Sequence, residues 1–165
     1  MESAIWGLIG TIVGALASIG TTWMSSNNSA KLQKQAELDN RVECMRALQR
    51  ETLLELQEAI KDAARLLASA HMEDLESYNK TGNFTSSMLS EEVNEGSRLA
   101  LGRVAILTER VADESLRMEI KNLMKLGTEM LLAKSRSESE AKMDHLILKE
   151  SNVQEKLGII LRNTY

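Results

Sequence analysis

Two histidines, one cysteine and a row of acids are the residues in this chain with the potential for chemistry. His71 is followed by Met72, Glu73 and Asp74, which sets carboxylates within one helical turn of an imidazole. A metal held inside a helical bundle asks for more, namely a Glu-x-x-His pair repeated on two helices or a His-Glu-x-x-His run on one. Neither occurs, and His145 stands far away in sequence, so both histidines read as ordinary solvated or core side chains. Cys44 is alone, which forbids an internal disulfide, and in a helical run it reads as a small buried hydrophobe. Glu51, Glu55, Glu58 and Asp62 share their stretch with Arg50, Lys61 and Arg65, at spacings that make surface ion pairs rather than a metal cradle. No Gly-x-x-x-x-Gly-Lys phosphate loop, Gly-x-Gly-x-x-Gly fingerprint or Gly-x-Ser-x-Gly elbow is present. The expectation is therefore no catalytic residue, no metal, no cofactor and no small-molecule substrate: not an enzyme.

The elements that carry these residues are expected to be helices. Proline is absent, aromatic residues make up 3%, and Leu, Ala, Glu, Lys, Arg and Met abound among 165 residues. Sheets draw on aromatic and β-branched residues, and turns draw on proline, whereas this composition favours helix by intrinsic propensity. Nine methionines suit an adaptable core. The formal net charge is −4 with both signs mixed along the chain, which excludes the concentrated basic face that nucleic-acid binding needs.

Residues 4–24 contain no charged side chain. As a helix they would be roughly 31 Å long, against a hydrocarbon core of about 30 Å. Trp6 and Trp23 stand near the two ends, where indole rings favour the headgroup level. A cleavable signal peptide would carry basic residues before a shorter apolar run, and here only Glu2 precedes it. A buried soluble helix would be weakened by Gly7, Gly10, Gly14 and Gly20, whereas spanning helices use glycine freely. The segment is thus expected to be a single transmembrane anchor. Gly7, Gly10, Gly14, Ala17 and Thr21 fall on one stripe, the small-residue pattern through which helices approach each other in lipid. Lys31, Lys34 and Arg41 follow the run, so the C-terminal part is expected in the cytoplasm.

Three regions are expected: an anchor over 1–28, a juxtamembrane helical stalk over 29–48 and a helical bundle over 49–165. Leu53, Leu56, Ile60, Ala63 and Leu67 repeat at spacings of three and four, and Leu38, Val42 and Met45 extend a similar seam upstream, interrupted by Gln49 and Thr52. Gly82, in a polar cluster, marks a helix stop. Ser90 before Glu91 and Glu92 reads as an N-cap, and Asp113 as another. Val104, Leu107 and Val111 line one face of the next helix, and Leu116, Ile120 and Leu123 one face of the helix after it. Residues 134–140 are polar throughout and read as a hinge, although an exposed helix could run through them. The helices are placed at about 49–79, 90–112, 113–134 and 138–162, giving an all-α three- or four-helix antiparallel bundle behind a transmembrane helix. Asn79-Lys80-Thr81 and Asn83-Phe84-Thr85 match glycosylation acceptors, which matter only on a translocated loop.

The run from Gln49 to Asp62 (Gln-Arg-Glu-Thr-Leu-Leu-Glu-Leu-Gln-Glu-Ala-Ile-Lys-Asp) resembles a segment of small uncharacterised bacterial proteins that have one N-terminal span and a helical remainder. The resemblance implies a bacterial inner-membrane location and no particular activity. The functional expectation is a non-enzymatic, self-associating membrane scaffold that contacts the lipid bilayer, itself or a protein partner through its apolar stripes. A membrane-perturbing or pore-forming oligomer, such as an effector or a lysis accessory protein, is the alternative.

Overall fold

In a computed structural model of the chain, residues 2–84 and 88–164 are described, with the backbone alone for residues 2–6 and 8. Among the described residues the elements are four helices: α1 (Glu2–Thr81), α2 (Glu91–Thr108), α3 (Glu114–Leu131) and α4 (Arg136–Asn163). The chain divides into two units, Met1–Met45 and Arg46–Tyr165. The first is helix alone. The second holds the folded core, built from the α1 residues beyond Met45 together with α2, α3 and α4.

Side-chain junctions show that the helices of the second unit run in up-down-up-down order. Gln49 near one end of the α1 segment donates from Nε2 to the Arg110 carbonyl (2.8 Å) and accepts on Oε1 from the Ala112 amide (3.0 Å), holding the α2–α3 turn. Glu73 near the other end accepts from the Ser90 amide (2.8 Å) and hydroxyl (2.7 Å), so α2 starts there and runs antiparallel to α1. The α4 helix runs antiparallel to α1 as well. Ser139 meets His71, Gln154 donates to the Gln57 carbonyl, and Arg50 donates to the Thr164 carbonyl at 2.9 Å. Between α3 and α4, Lys156 reaches both Ser115 (2.7 Å) and Glu119 (2.5 Å), with Lys149 at 3.5 Å from the same carboxylate. These lysines hold the Glu119 carboxyl below its usual range, chiefly through the Lys156 hydrogen bond. The stability that this adds is present above the ordinary glutamate pKa and is lost as pH falls through the depressed one.

The ends of the helices follow local chemistry. Gly82 adopts a φ of 75°, and its amide donates to the Tyr78 carbonyl at 2.8 Å, the left-handed stop that glycine takes without a Cβ penalty. Ser90, Asp113 and Ser135 cap α2, α3 and α4 by accepting from the amides of Val93, Leu116 and Glu138. Each cap satisfies a backbone donor that a helix start leaves open.

The core forms because apolar residues recur at helical spacing on all four helices. Leu56, Val104, Leu116, Ile120 and Val153 are fully buried, beside Leu53, Ile60, Leu107, Val111, Leu146 and Leu157. At Gly127 the backbone of α3 comes so close to α1 that an added Cβ would stand 2.8 Å from Leu67 Cδ1. Gly102 on α2 is different, with nothing within 4 Å of an added Cβ. Gly102→Ala is therefore expected to stabilise the bundle by about 0.5–1 kcal/mol through helix propensity, read as a rise in the denaturation midpoint.

One expectation needs correction. The polar stretch 134–140 is not a hinge. The break is confined to residues 132–135, and α4 begins at Arg136 because Ser135 caps it and Ser139 is buried. Residues 29–48, expected as a helical stalk, lie within α1, which begins at Glu2. Among the described residues no helix is long and apolar enough to cross a membrane; the side chains of residues 4–6 and 8, within the run expected to span, lie outside them. The described part of the run interleaves Ile9, Ile12, Val13, Leu16 and Ile19 with glycine, Thr11, Ser18, Thr21 and Thr22.

Candidate functional site

The first unit offers a surface. Every described side chain from Gly7 to Leu48 is exposed, including Ile9 (45%), Val13 (60%), Leu16 (64%), Ile19 (65%) and Trp23 (71%). Helical periodicity gathers Ile9, Ile12, Val13, Leu16, Ile19 and Trp23 on one face. Gly7, Gly10, Gly14, Ala17 and Thr21, the residues expected to pack between helices, share the opposite face. None of Gly7, Gly10 or Gly14 has an atom within 4 Å of an added Cβ, so the stripe is open along its length. Trp23, expected as an interface anchor, is exposed; the side chain of Trp6, its counterpart, lies outside the described residues. Thr11, Thr21 and Thr22 turn their hydroxyls onto the carbonyls of Gly7, Ala17 and Ser18 at 3.2, 2.6 and 2.8 Å. A hydroxyl that bonds the carbonyl four residues back presents its methyl group outward, which lowers the polarity of the helix surface.

The second unit closes the other expected surface. Leu53, Leu56, Ile60, Ala63 and Leu67 on α1, Val104 and Leu107 on α2, Val111 in the following turn, and Leu116, Ile120 and Leu123 on α3 all lie in one core. Their stripes face one another, so these residues, expected to pack helix against helix, are covered within this unit by their own chain. A cavity of about 20 Å³ remains between them, lined by residues such as Ile60, Leu67, Val104 and Leu146. Such a void has room for about one water and lacks the polar partners that a water needs.

A cluster of polar residues does come together, and it includes one that sequence reasoning passed over. Ser139 Oγ and His71 Nδ1 share a hydrogen bond of 2.8 Å across α4 and α1, with Ser139 1% and His71 9% exposed. Asp74, one turn beyond His71, is equally buried. Burial pushes the Asp74 carboxyl up; His71 opposes the shift and Glu73 adds to it. A carboxyl whose folded pKa is raised binds its proton more readily in the folded state, so its effect on stability improves as pH falls toward the ordinary aspartate value. A serine, a histidine and an aspartate in one place suggest nucleophilic catalysis, but a usable nucleophile must be open to its substrate. This hydroxyl is enclosed. The group acts as a buried polar tie that fixes the register of α4 against α1. Sequence gave no signal for it, because Ser139 sits in a polar stretch and its partner is 68 positions away.

Arg136 lies over the Tyr78 ring at 5.8 Å, and Phe84 packs edge-on to it at 6.3 Å, at the end where Gly82 stops α1. Among the described residues no group of three or more histidine, cysteine or acidic side chains is placed to hold a metal ion. Cys44 is exposed, not a core hydrophobe, which corrects the reading of it as a buried side chain. No known protein family, no curated protein and no solved structure matches this chain.

Proposed function

We propose that this chain is a non-enzymatic, membrane-anchored helical scaffold, held by residues 4–24 as a single-pass span in a bacterial inner membrane, with the bundle on the cytoplasmic side. The observation that carries the reading is the exposed apolar face of the first unit, where Ile9, Ile12, Val13, Leu16, Ile19 and Trp23 find no core within their own unit. A contiguous apolar surface of this kind calls for lipid or another protein. The 21-residue uncharged run and the inward-turned threonine hydroxyls suit lipid. The basic residues Lys31, Lys34 and Arg41 just after the run supply the orientation. The bundle, with its stripes covered, is the folded body that the anchor carries. Association with other copies or partners then belongs to the first unit.

The test is flotation with liposomes and resistance to alkaline carbonate extraction, using the full chain. Wild type is expected to float and to resist extraction. Leu16→Arg places a charge at mid-span at a cost of about 2.5–3.5 kcal/mol, and is expected to shift the chain toward the soluble fraction. Wild-type chain that remains in the soluble fraction would sink the anchor. The pore-forming alternative draws less support, because, of Thr11, Ser18, Thr21 and Thr22, the polar groups that would line a lumen, the three threonines already hydrogen-bond their own backbone.

A further inference from the structure

Within the bundle, α1 turns two different faces to its neighbours. Three contacts fix the face toward α2. Gln49 holds the Arg110 carbonyl and the Ala112 amide at one end, and Glu73 holds Ser90 at the other. Between them Leu66 lies against Gly96, where an added Cβ would stand 3.2 Å from Leu66 Cδ2. Steps of three and four residues join these positions through Thr52, Leu56, Ala59, Ala63 and Ala70. All five are buried, yet Leu56 alone among them is large. Three other contacts fix the face toward α4, namely Arg50 with Thr164, Gln57 with Gln154 and His71 with Ser139. The same steps join these through Leu53, Ile60 and Leu67, all large and buried, and the half-buried Ala64. The α3 helix leans on this side too, since Gly127 approaches Leu67. The stability of a contact grows with the apolar area it removes from water, so α1 holds α4 and α3 more firmly than α2.

The α2 helix brings little to make up the difference. Its buried residues are Ser97, Val104, Leu107 and Thr108, half of them hydroxyl-bearing. The α3 helix, of equal length, buries Leu116, Ile120, Leu123 and Met130. Ser97 Oγ is enclosed with no hydrogen-bond partner among the described residues, a destabilising feature of the closed state. Gly96 and Gly102 lower the helix propensity of α2, and Leu99 and Ile106 stay exposed. Among the described residues, no hydrogen bond or ion pair joins residues 91–108 to another helix; those given for them stay within α2 or reach only its cap. The polar ties lie just outside the ends, at Ser90, at Arg110 and Ala112, and at Glu109, which pairs with Lys121. The α4 helix is instead stitched along its length, with Lys142 on the Glu129 carbonyl, Lys149 and Lys156 on Glu119, and Gln154 on the Gln57 carbonyl.

We infer that α2 is a detachable cover: it opens as one unit while the α1 residues beyond Met45, α3 and α4 stay packed, and its departure bares the α1 stripe from Thr52 to Ala70. Folded domains open in cooperative units of this size, and the unit with the least buried apolar surface opens first. The bundle thereby has two states, a closed one with four helices packed and an open one with three, and α2 alone moves between them. The inference concerns the second unit and stands or falls without the anchor.

Hydrogen exchange of the full chain in detergent micelles, read by mass spectrometry at rising urea below the unfolding transition, tests it. Amides of residues 95–108 are expected to share one opening and to be protected at least about tenfold less than the slowest amides of α3 and α4. Their exchange is expected to respond weakly to urea, because their opening exposes little surface, whereas the slowest amides of α1, α3 and α4 respond steeply. Ser139→Ala loosens α4 from α1 and is expected to speed those slow amides about tenfold while leaving α2 unchanged. Protection in α2 equal to that in α3 and α4, with the same urea response, would overturn the proposal. So would a first opening in α3 or α4, or a Ser139→Ala effect that reaches α2 in full.

Discussion

Leu56→Ala is expected to lower the stability of the bundle by about 2–5 kcal/mol, the cost of a leucine cavity that its surroundings fill only in part. Leu56 is 0% exposed and belongs to the core shared by all four helices. For a body of this size the loss is expected to move the thermal midpoint down by roughly 10 °C or more. Total stabilities of such domains are about 5–15 kcal/mol, so the variant retains a fold with little margin. Leu54→Ala is the control. Leu54 lies two positions away and is 46% exposed, and its replacement is expected to change stability by no more than about 0.5 kcal/mol. Thermal denaturation followed by far-ultraviolet circular dichroism reads both. Equal midpoints for Leu56→Ala and wild type, accompanied by loss of association, would mean that Leu56 faces another chain and not its own core.

The second large effect is expected at the buried polar tie. Ser139→Ala leaves His71 Nδ1 without its 2.8 Å partner in a buried site. An orphaned buried group costs about 1–3 kcal/mol, whereas removing both members together is closer to neutral. Ser139→Ala with His71→Leu is therefore expected to recover part of the stability that Ser139→Ala loses. A double-mutant cycle with no coupling between the two positions would show that the hydrogen bond adds nothing. Activity is not the readout, since the hydroxyl is enclosed.

Much of the bundle was legible because its signals are local. Leu53, Leu56, Ile60, Ala63 and Leu67 repeat at spacings that only a helix face explains, and Ser90 and Asp113 precede acids as helix caps do. Gly82 stands where the chain turns, with the positive φ that its lack of a Cβ allows. What escaped depends on partners distant in sequence. Gln49 and Thr52 look like faults in a coiled-coil seam. In the fold, Gln49 holds the α2–α3 turn through both ends of its amide and Thr52 is buried. Ser139 looks like part of a solvated hinge, and no pattern within its own stretch announces His71. The stripes on α1, α2 and α3 announce that something covers them, yet spacing alone does not say whether the cover is the same chain or another. The same ambiguity attaches to Leu38, Val42 and Met45, which remain open after the bundle has closed.

The hydrogen bond from Arg50 to the Thr164 carbonyl has a mechanical consequence. An even number of helices in alternating directions returns the chain to the end where the bundle began, so the residues next to Arg50 and the last turn of α4 are neighbours. A load applied between those two points would not slide helices past one another along their length. It would open the bundle as a zipper opens, separating α4 from α1 a turn at a time, first at Arg50, then at Gln57 and Gln154, and last at His71 and Ser139. Each step breaks few contacts, so the bundle is soft to tension along this axis even where it resists heat, and Arg50 is the latch that meets the load first.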